Sequence, residues 1–274
     1  STTIDRKCGS SQQAVHFAAQ GIMAGAYDIV IACGIESMSR IPMGSARGDK
    51  DPFGQMANER YAPGLVSQGI ASELVAAKYD LSRQAMDEYS ARSHARADQA
   101  QKSGQFDREI YPINTPNGVV KQDETIRAGT TAEKLGTLKA SFENEALQER
   151  FPQIKWSVTA GNASQISDGA AAMLIMSQRM AEKLGLKPRA RFVAFDVMGD
   201  NPLLMLTAPI GSSKRAIEKS GLSTEEIDHF EVNEAFASVP LAWQKEFKVS
   251  DEKLNPRGGS IALGHPLGAS GVRI

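Results

Sequence analysis

Directly after a stretch with helical spacing, the chain carries Tyr27-Asp28-Ile29-Val30-Ile31-Ala32-Cys33-Gly34, a short continuous apolar run rich in β-branched residues. Such a run reads as a strand buried on both faces, with Cys33 as a small core residue. A helix leading into it predicts an α/β fold with a largely parallel sheet covered by helices. The helix itself is predicted from Ala14, Val15, Ala18, Ile22 and Met23 on one face, with Gly25 and Ala26 as its stop. The same pairing returns later. Ala170 to Met176 reads as a buried strand followed by a short helix closing at Gly185. Arg191 to Val197 and His229 to Val232 read as further strands, with helices over Ser212 to Lys219 and Ala235 to Phe247. This repeated order predicts two similar halves, although no fixed sequence period accompanies it.

Between the first strand and Ala170 the pattern breaks. Residues 39–70 are rich in proline and glycine and read as loop, and loops of that length in compact enzymes usually cover a site. Helices are predicted from Ile70 to Tyr79 and from Ser82 to Ser103, with Ser82 as N-cap and Ala85, Met86, Tyr89 and Ala97 on one face. His94, among Arg92, Arg96 and Asp98, reads as a solvated helix residue. Residues 39–166 therefore form a large excursion from the α/β pattern.

Bulk properties exclude several classes. With 274 residues, 41% hydrophobic and 23% charged, the chain is ordinary globular material rather than a disordered one. Its formal charge of -1 gives no electrostatic case for a nucleic-acid partner. Two cysteines, Cys8 and Cys33, are too few for a disulfide scaffold and fit a reducing compartment. No apolar run reaches the roughly 18 residues of a membrane span, and no signal-peptide pattern opens the chain, so it reads as cytoplasmic or organelle-matrix. Both ends read as internal to a longer protein: there is no initiator methionine, and the chain stops at Ile274 in what reads as the first turn of a helix.

Four segments carry chemistry. In Lys7-Cys8-Gly9-Ser10-Ser11 a lone cysteine stands at the predicted start of the first helix. Unpaired N–H groups and the positive end of the helix dipole there would lower the thiol pKa and make Cys8 nucleophilic; a small buried hydrophobe is the plain alternative. Thr159 to Ala170 holds small and hydroxylated residues around Gly161-Asn162-Ala163-Ser164, suited to a narrow groove or to a capped turn. Asn233-Glu234-Ala235-Phe236 follows a strand end, where Asn233 can hold a water, donate to an oxyanion, or simply cap a helix. Asn255 to Gly271 packs five glycines and two prolines around His265, which indicates close backbone approaches and positive φ. A histidine held in this way can take the Cys8 proton and then use Nε2–H to stabilise charge on a carbonyl oxygen.

Cys8-Gly9-Ser10-Ser11, Gly161-Asn162-Ala163-Ser164, Asn233-Glu234-Ala235-Phe236 and Gly258-Gly259-Ser260-Ile261-Ala262-Leu263-Gly264-His265-Pro266, in this order, resemble the thiolase family over essentially the whole chain. The resemblance implies two similar α/β halves in a five-layered arrangement with an inserted loop domain. The expected boundaries are 1–38 and 167–187 for the N-terminal half, 39–166 for the loop domain over the site, and 188–274 for the C-terminal half. It also implies an acyltransferase in which Cys8 attacks a 3-ketoacyl-CoA at its keto carbon and carries the acyl group, releasing acetyl-CoA. His265 would activate Cys8 and form an oxyanion hole with a water held by Asn233, and the Cys8 N–H would serve a second one. Ser164 matches the serine beside the pantetheine of CoA, and Arg127 the basic residue against the CoA nucleotide. CoA enters as cosubstrate, with no permanently bound cofactor and no metal, and the assembly is expected to be a homodimer or homotetramer. The family's second reactive cysteine is expected beyond Ile274, Cys33 not standing in for it, so the chain by itself is expected to be inactive. Gln68-Gly69-Ile70 lacks the His-Met pair of short-chain members, which favours a degradative enzyme for fatty acyl or steroid side chains. A biosynthetic acetoacetyl-CoA thiolase, a ketoacyl synthase and a non-catalytic acyl-CoA binder are the alternatives.

Overall fold

The computed structural model describes residues 1–45 and 48–274; Ala46 and Arg47, inside the expected 39–166 excursion, lie outside the described residues. The chain divides into two compact units. The first comprises Ser1–Lys50, Ile166–Phe195 and His265–Ile274, and the second Asp51–Gln165 and Asp196–Gly264.

In the first unit a 3-10 turn, Lys7–Gly9, runs straight into α1, Ser10–Met23, which ends before Gly25 at φ 75°. Strand β1, Ile29–Ser37, follows, and its partner is β4, Asp168–Met176, after which α7 spans Gln178–Lys183 and α11 spans Leu267–Arg273. Among the described residues β1 and β4 pair antiparallel, from Ile29 opposite Met176 to Ser37 opposite Asp168, and not in the expected parallel sense. The burial also differs from the two-faced expectation. Val30, Ala32, Ala171, Met173 and Ile175 share one face, and that face packs with Val15, Ala18 and Ala19 of α1 and Val272 of α11. Alternation then turns Ile31, Cys33 and Ile35 to the opposite face, which is exposed in this unit, so Cys33 is not a core residue.

The second unit is mainly helical: α2, Gly54–Arg60; α3, Gln68–Lys78; α4, Arg83–Lys102; α5, Ala132–Gly136; α6, Glu145–Arg150; α8, Ala208–Ser220; α9, Ser238–Phe247; and α10, Ser260–Leu263. A small hairpin joins β2, Ile113–Thr115, to β3, Gly118–Val120. Ser82 caps α4 as expected, its Oγ accepting from the Ala85 N–H at 3.0 Å. The main core gathers Met86 and Tyr89 of α4, Trp243 of α9, Ile261 of α10, and Phe230 and Leu254 from extended segments. A smaller cluster joins Ile70 and Leu74 of α3 to Phe151 and Ile154. The expected strands at 191–197 and 229–232 are extended chain without a ladder; the second makes one bridge, Phe230 to Leu254. Among the described residues no helix is long and apolar enough to cross a membrane.

Candidate active site

Cys8 occupies the middle of the 3-10 turn, its backbone set by neighbours on both sides. Lys7 has a left-handed φ of 50°, uncommon for a residue with a side chain. The Gly9 N–H donates to Arg6 O at 3.0 Å, and Ser10 Oγ accepts from the Arg6 N–H at 2.8 Å while donating to Lys7 O at 2.7 Å. This turn packs against α11. The start of α1 is tied to the same helix, because the Val272 N–H donates to the buried Ser11 Oγ at 3.1 Å. The expected lowering of the thiol pKa is overturned. Burial pushes the Cys8 thiol up, a backbone hydrogen bond opposes this, and the Glu36 carboxylate adds to the rise. Removing a thiolate from water outweighs the electrostatic help of the helix start, so the resting group at neutral pH is the thiol.

His265 stands immediately before Pro266, the N-cap of α11, and is 3% exposed. Its backbone N–H donates to Ser167 Oγ at 3.2 Å, and its Nδ1 lies 2.6 Å from Ser270 Oγ. Burial lowers the imidazole pKa to about 4, so the ring is neutral near pH 7 and able to accept a proton. In the first turn of α11, the Gly268 N–H donates to Glu36 Oε2 at 2.9 Å. The turn bearing the thiol and the loop bearing the imidazole are thus both held by α11. A protonated thiol and a neutral imidazole call for proton transfer to the base as sulfur attacks, rather than for a standing thiolate.

The other three sequence candidates belong to the second unit. There the segments around Ser164 and Asn233 lie side by side: Ala163 and Phe236 form an antiparallel bridge, the Ser164 N–H donates to Ala235 O at 2.9 Å, and the Ala237 N–H to Asn162 O at 2.9 Å. Asn233 caps no helix, since α9 begins only at Ser238. Its Oδ1 accepts from Ser260 Oγ at 2.6 Å, which ties the side chain to the start of α10. Arg127 is placed by a contact with α4. Its backbone N–H donates to His94 Nδ1 at 3.1 Å, and His94 is buried rather than solvated. The sequence reading gave no role to Glu234. This fully buried carboxylate accepts from Tyr89 Oη at 2.8 Å, Ser93 Oγ at 2.7 Å, Asn255 Nδ2 at 3.0 Å and the Ile261 N–H at 3.1 Å. It binds α4, the Asn255 turn and the start of α10 to the segment that carries Asn233.

The family described as "Thiolase, N-terminal domain" matches residues 1–179, and "Thiolase, C-terminal domain" matches residues 186–274. The chain belongs to the thiolase family. Among its relatives, the steroid 3-ketoacyl-CoA thiolase FadA6 of Mycobacterium tuberculosis is 44% identical over 99% of this chain and 66% of its own length. A 3-ketoacyl-CoA thiolase of Klebsiella pneumoniae is 45% identical over 99% of this chain and 69% of its own. The chain thus spans about two thirds of the length of these curated relatives. Among solved structures, the dimeric peroxisomal thiolase of Saccharomyces cerevisiae matches with a TM-score of 0.86 at 36% identity, covering 98% of this chain and 67% of its own. An acetyl-CoA acetyltransferase from Syntrophomonas wolfei matches with a TM-score of 0.83 at 33% identity, covering 100% of this chain and 70% of its own. The α/β fold is therefore that of the thiolases.

Proposed function

We propose that the protein is a degradative thiolase, passing an acyl group from a 3-ketoacyl-CoA to CoA through an acyl-Cys8 intermediate. The observation that carries this reading is that the Cys8 turn and the His265 loop are held by one helix, the first with a protonated thiol and the second with a neutral imidazole. His265 takes the thiol proton as sulfur attacks the keto carbon. The bond between that carbon and the α-carbon then breaks, and the acyl group stays on sulfur. Acetyl-CoA leaves once its α-carbon has taken a proton from an acid other than the five residues named here. The CoA thiol, giving its proton back to that acid, next attacks the acyl-cysteine carbonyl; an acyl-CoA two carbons shorter leaves, and the Cys8 sulfur takes back the proton held by His265. In this reading Asn233 holds a water for the oxyanion, the Cys8 N–H serves a second oxyanion, Ser164 lies beside the pantetheine, and Arg127 faces the CoA nucleotide. The hydrogen bond from Ser260, which holds the Asn233 side chain in place, supports its part. Fatty-acyl or steroid side-chain substrates are favoured by the names of the relatives and by the absence of a His-Met pair at Gln68-Gly69-Ile70. A homo-oligomer fits the description of the yeast relative as dimeric.

The test is acylation itself. Incubated with a 3-ketoacyl-CoA and no free CoA, the intact protein is expected to gain the acyl mass on Cys8, and Cys8→Ser to gain none. An acyl mass retained by Cys8→Ser refutes the assignment.

A further inference from the structure

We propose that Ser270 is a positioning residue that holds His265 as the Nδ1–H tautomer, which makes Nε2 the nitrogen that accepts the Cys8 proton. This rests on the reading of His265 as the base for Cys8. A neutral imidazole has one donor nitrogen and one acceptor, and the partner of one nitrogen decides the role of the other. Ser270 Oγ lies 2.6 Å from Nδ1, and both residues are 3% exposed, so bulk water does not compete for this contact. The hydroxyl has a single hydrogen, and two acceptors compete for it. Ser270 lies within α11, and its Oγ is 2.9 Å from Pro266 O, one turn back. Donation by a helical serine to the carbonyl four residues earlier is a common arrangement, made although that carbonyl already receives backbone N–H groups. Here Pro266 O also accepts from the Ala269 and Ser270 N–H groups, each at 2.9 Å. With its hydrogen on Pro266 O, Ser270 offers only a lone pair to the ring, so Nδ1 carries the proton. Without that acceptor the imidazolium formed during thiol activation loses a buried hydrogen bond, and Nε2 becomes a weaker base.

The experiment combines a direct and a functional readout on the intact protein. Histidine 15N shifts at pH 7, assigned to His265 by loss of the signal in His265→Ala, are expected to show a protonated Nδ1. Iodoacetamide labelling of Cys8 at pH 7 is expected to slow about tenfold in Ser270→Ala, as for the loss of a base's orienting partner. It is expected to recover to within about twofold in Ser270→Thr, which keeps the hydroxyl. Combining Ser270→Ala with His265→Ala is expected to slow labelling no further than His265→Ala alone, because the serine acts through the histidine. A wild-type ring protonated at Nε2 overturns the proposal, as does unchanged labelling in Ser270→Ala where His265→Ala is slowed. If His265→Ala leaves labelling unchanged, the base reading falls, and the 15N shifts still decide the tautomer. They also decide it if Ser270→Ala does not fold.

Discussion

Glu234 shows what a buried charge needs to persist. Its Oε1 accepts from Tyr89 and Asn255, its Oε2 from Ser93 and the Ile261 N–H, so the charge is spread over four donors. The same carboxylate, after burial itself, pushes the Tyr89 hydroxyl well above its ordinary pKa. Packing around it is close: a Cβ on Gly259 would fall 2.4 Å from Glu234 Cδ. Replacing one oxygen with an NH2 group turns a donor toward two donors. Glu234→Gln is therefore expected to destabilise by about 1–3 kcal/mol, and Glu234→Ala, which strands all four donors, by about 3–5 kcal/mol. Urea unfolding measures both, and a Glu234→Gln midpoint equal to wild type refutes the network. The sequence held a signal for this residue, a lone acid between Val232 and Ala235-Phe236, but the motif reading assigned chemistry only to Asn233. What Glu234 does is set by residues up to 145 positions away, and no local pattern encodes them.

At the scale of elements, β1 and α11 meet glycine to glycine. A Cβ on Gly34 would fall 1.9 Å from Gly268 O, and one on Gly268 would fall 2.4 Å from Ile35 O. This close approach lets α11 lie on β1 while it carries Ser270 and the Cys8 turn. Gly34→Ala forces the strand or the helix to move, so we expect a loss of about 3 kcal/mol or more, above ordinary overpacking, and slower labelling of Cys8. Gly136, at the end of α5, has nothing within 4 Å of its would-be Cβ. Gly136→Ala is expected to change stability by less than about 1 kcal/mol. Thermal unfolding compares the two, and equal melting temperatures would rule out the close approach. The density of glycine around His265 was legible as a sign of such approaches; which element approaches was not. Helices α1, α4, α8 and α9 were legible because caps and apolar spacing are local. The antiparallel ladder of β1 with β4 joins positions more than 130 residues apart, and the expected strands at 191–197 and 229–232 fail for want of a partner to complete a ladder. His94 misled because its sequence neighbours are charged. It lies on the Met86, Ser90, Ser93, Ala97 stripe that α4 buries, one step of the helical period from the polar face.

For the molecule as a whole, each unit hides one neutral histidine, and this sets how stability answers to acid. Burial lowers the pKa of His265 to about 4, and burial with the Arg127 charge lowers that of His94 to about 4. Both rings bind a proton more readily in the unfolded chain, where the ordinary value is 6.5, than in the folded one. Their stabilising effect is complete above about pH 6.5 and is lost as pH falls from there toward about 4. Two hydrogen-bonded carboxylates work in a lower range. Hydrogen bonds from Ser39 hold Asp168 below its usual value, and Arg215 and Lys219 do the same for Asp196, so stability from these groups is lost only as pH falls below the ordinary carboxylate range. The interval from pH 6.5 to 5 is thus governed by histidines, His16 among them, since burial and the Arg6 charge lower its pKa too. Glutamine at position 94 keeps an acceptor for the Arg127 N–H but cannot titrate. We expect the wild-type unfolding free energy, from urea titrations at pH 7, 6 and 5, to fall by about 1–3 kcal/mol across the series. His94→Gln should start lower at pH 7 and fall by less than the wild type. Parallel curves for the two proteins would show that His94 titrates alike in both states and is not held neutral by the fold.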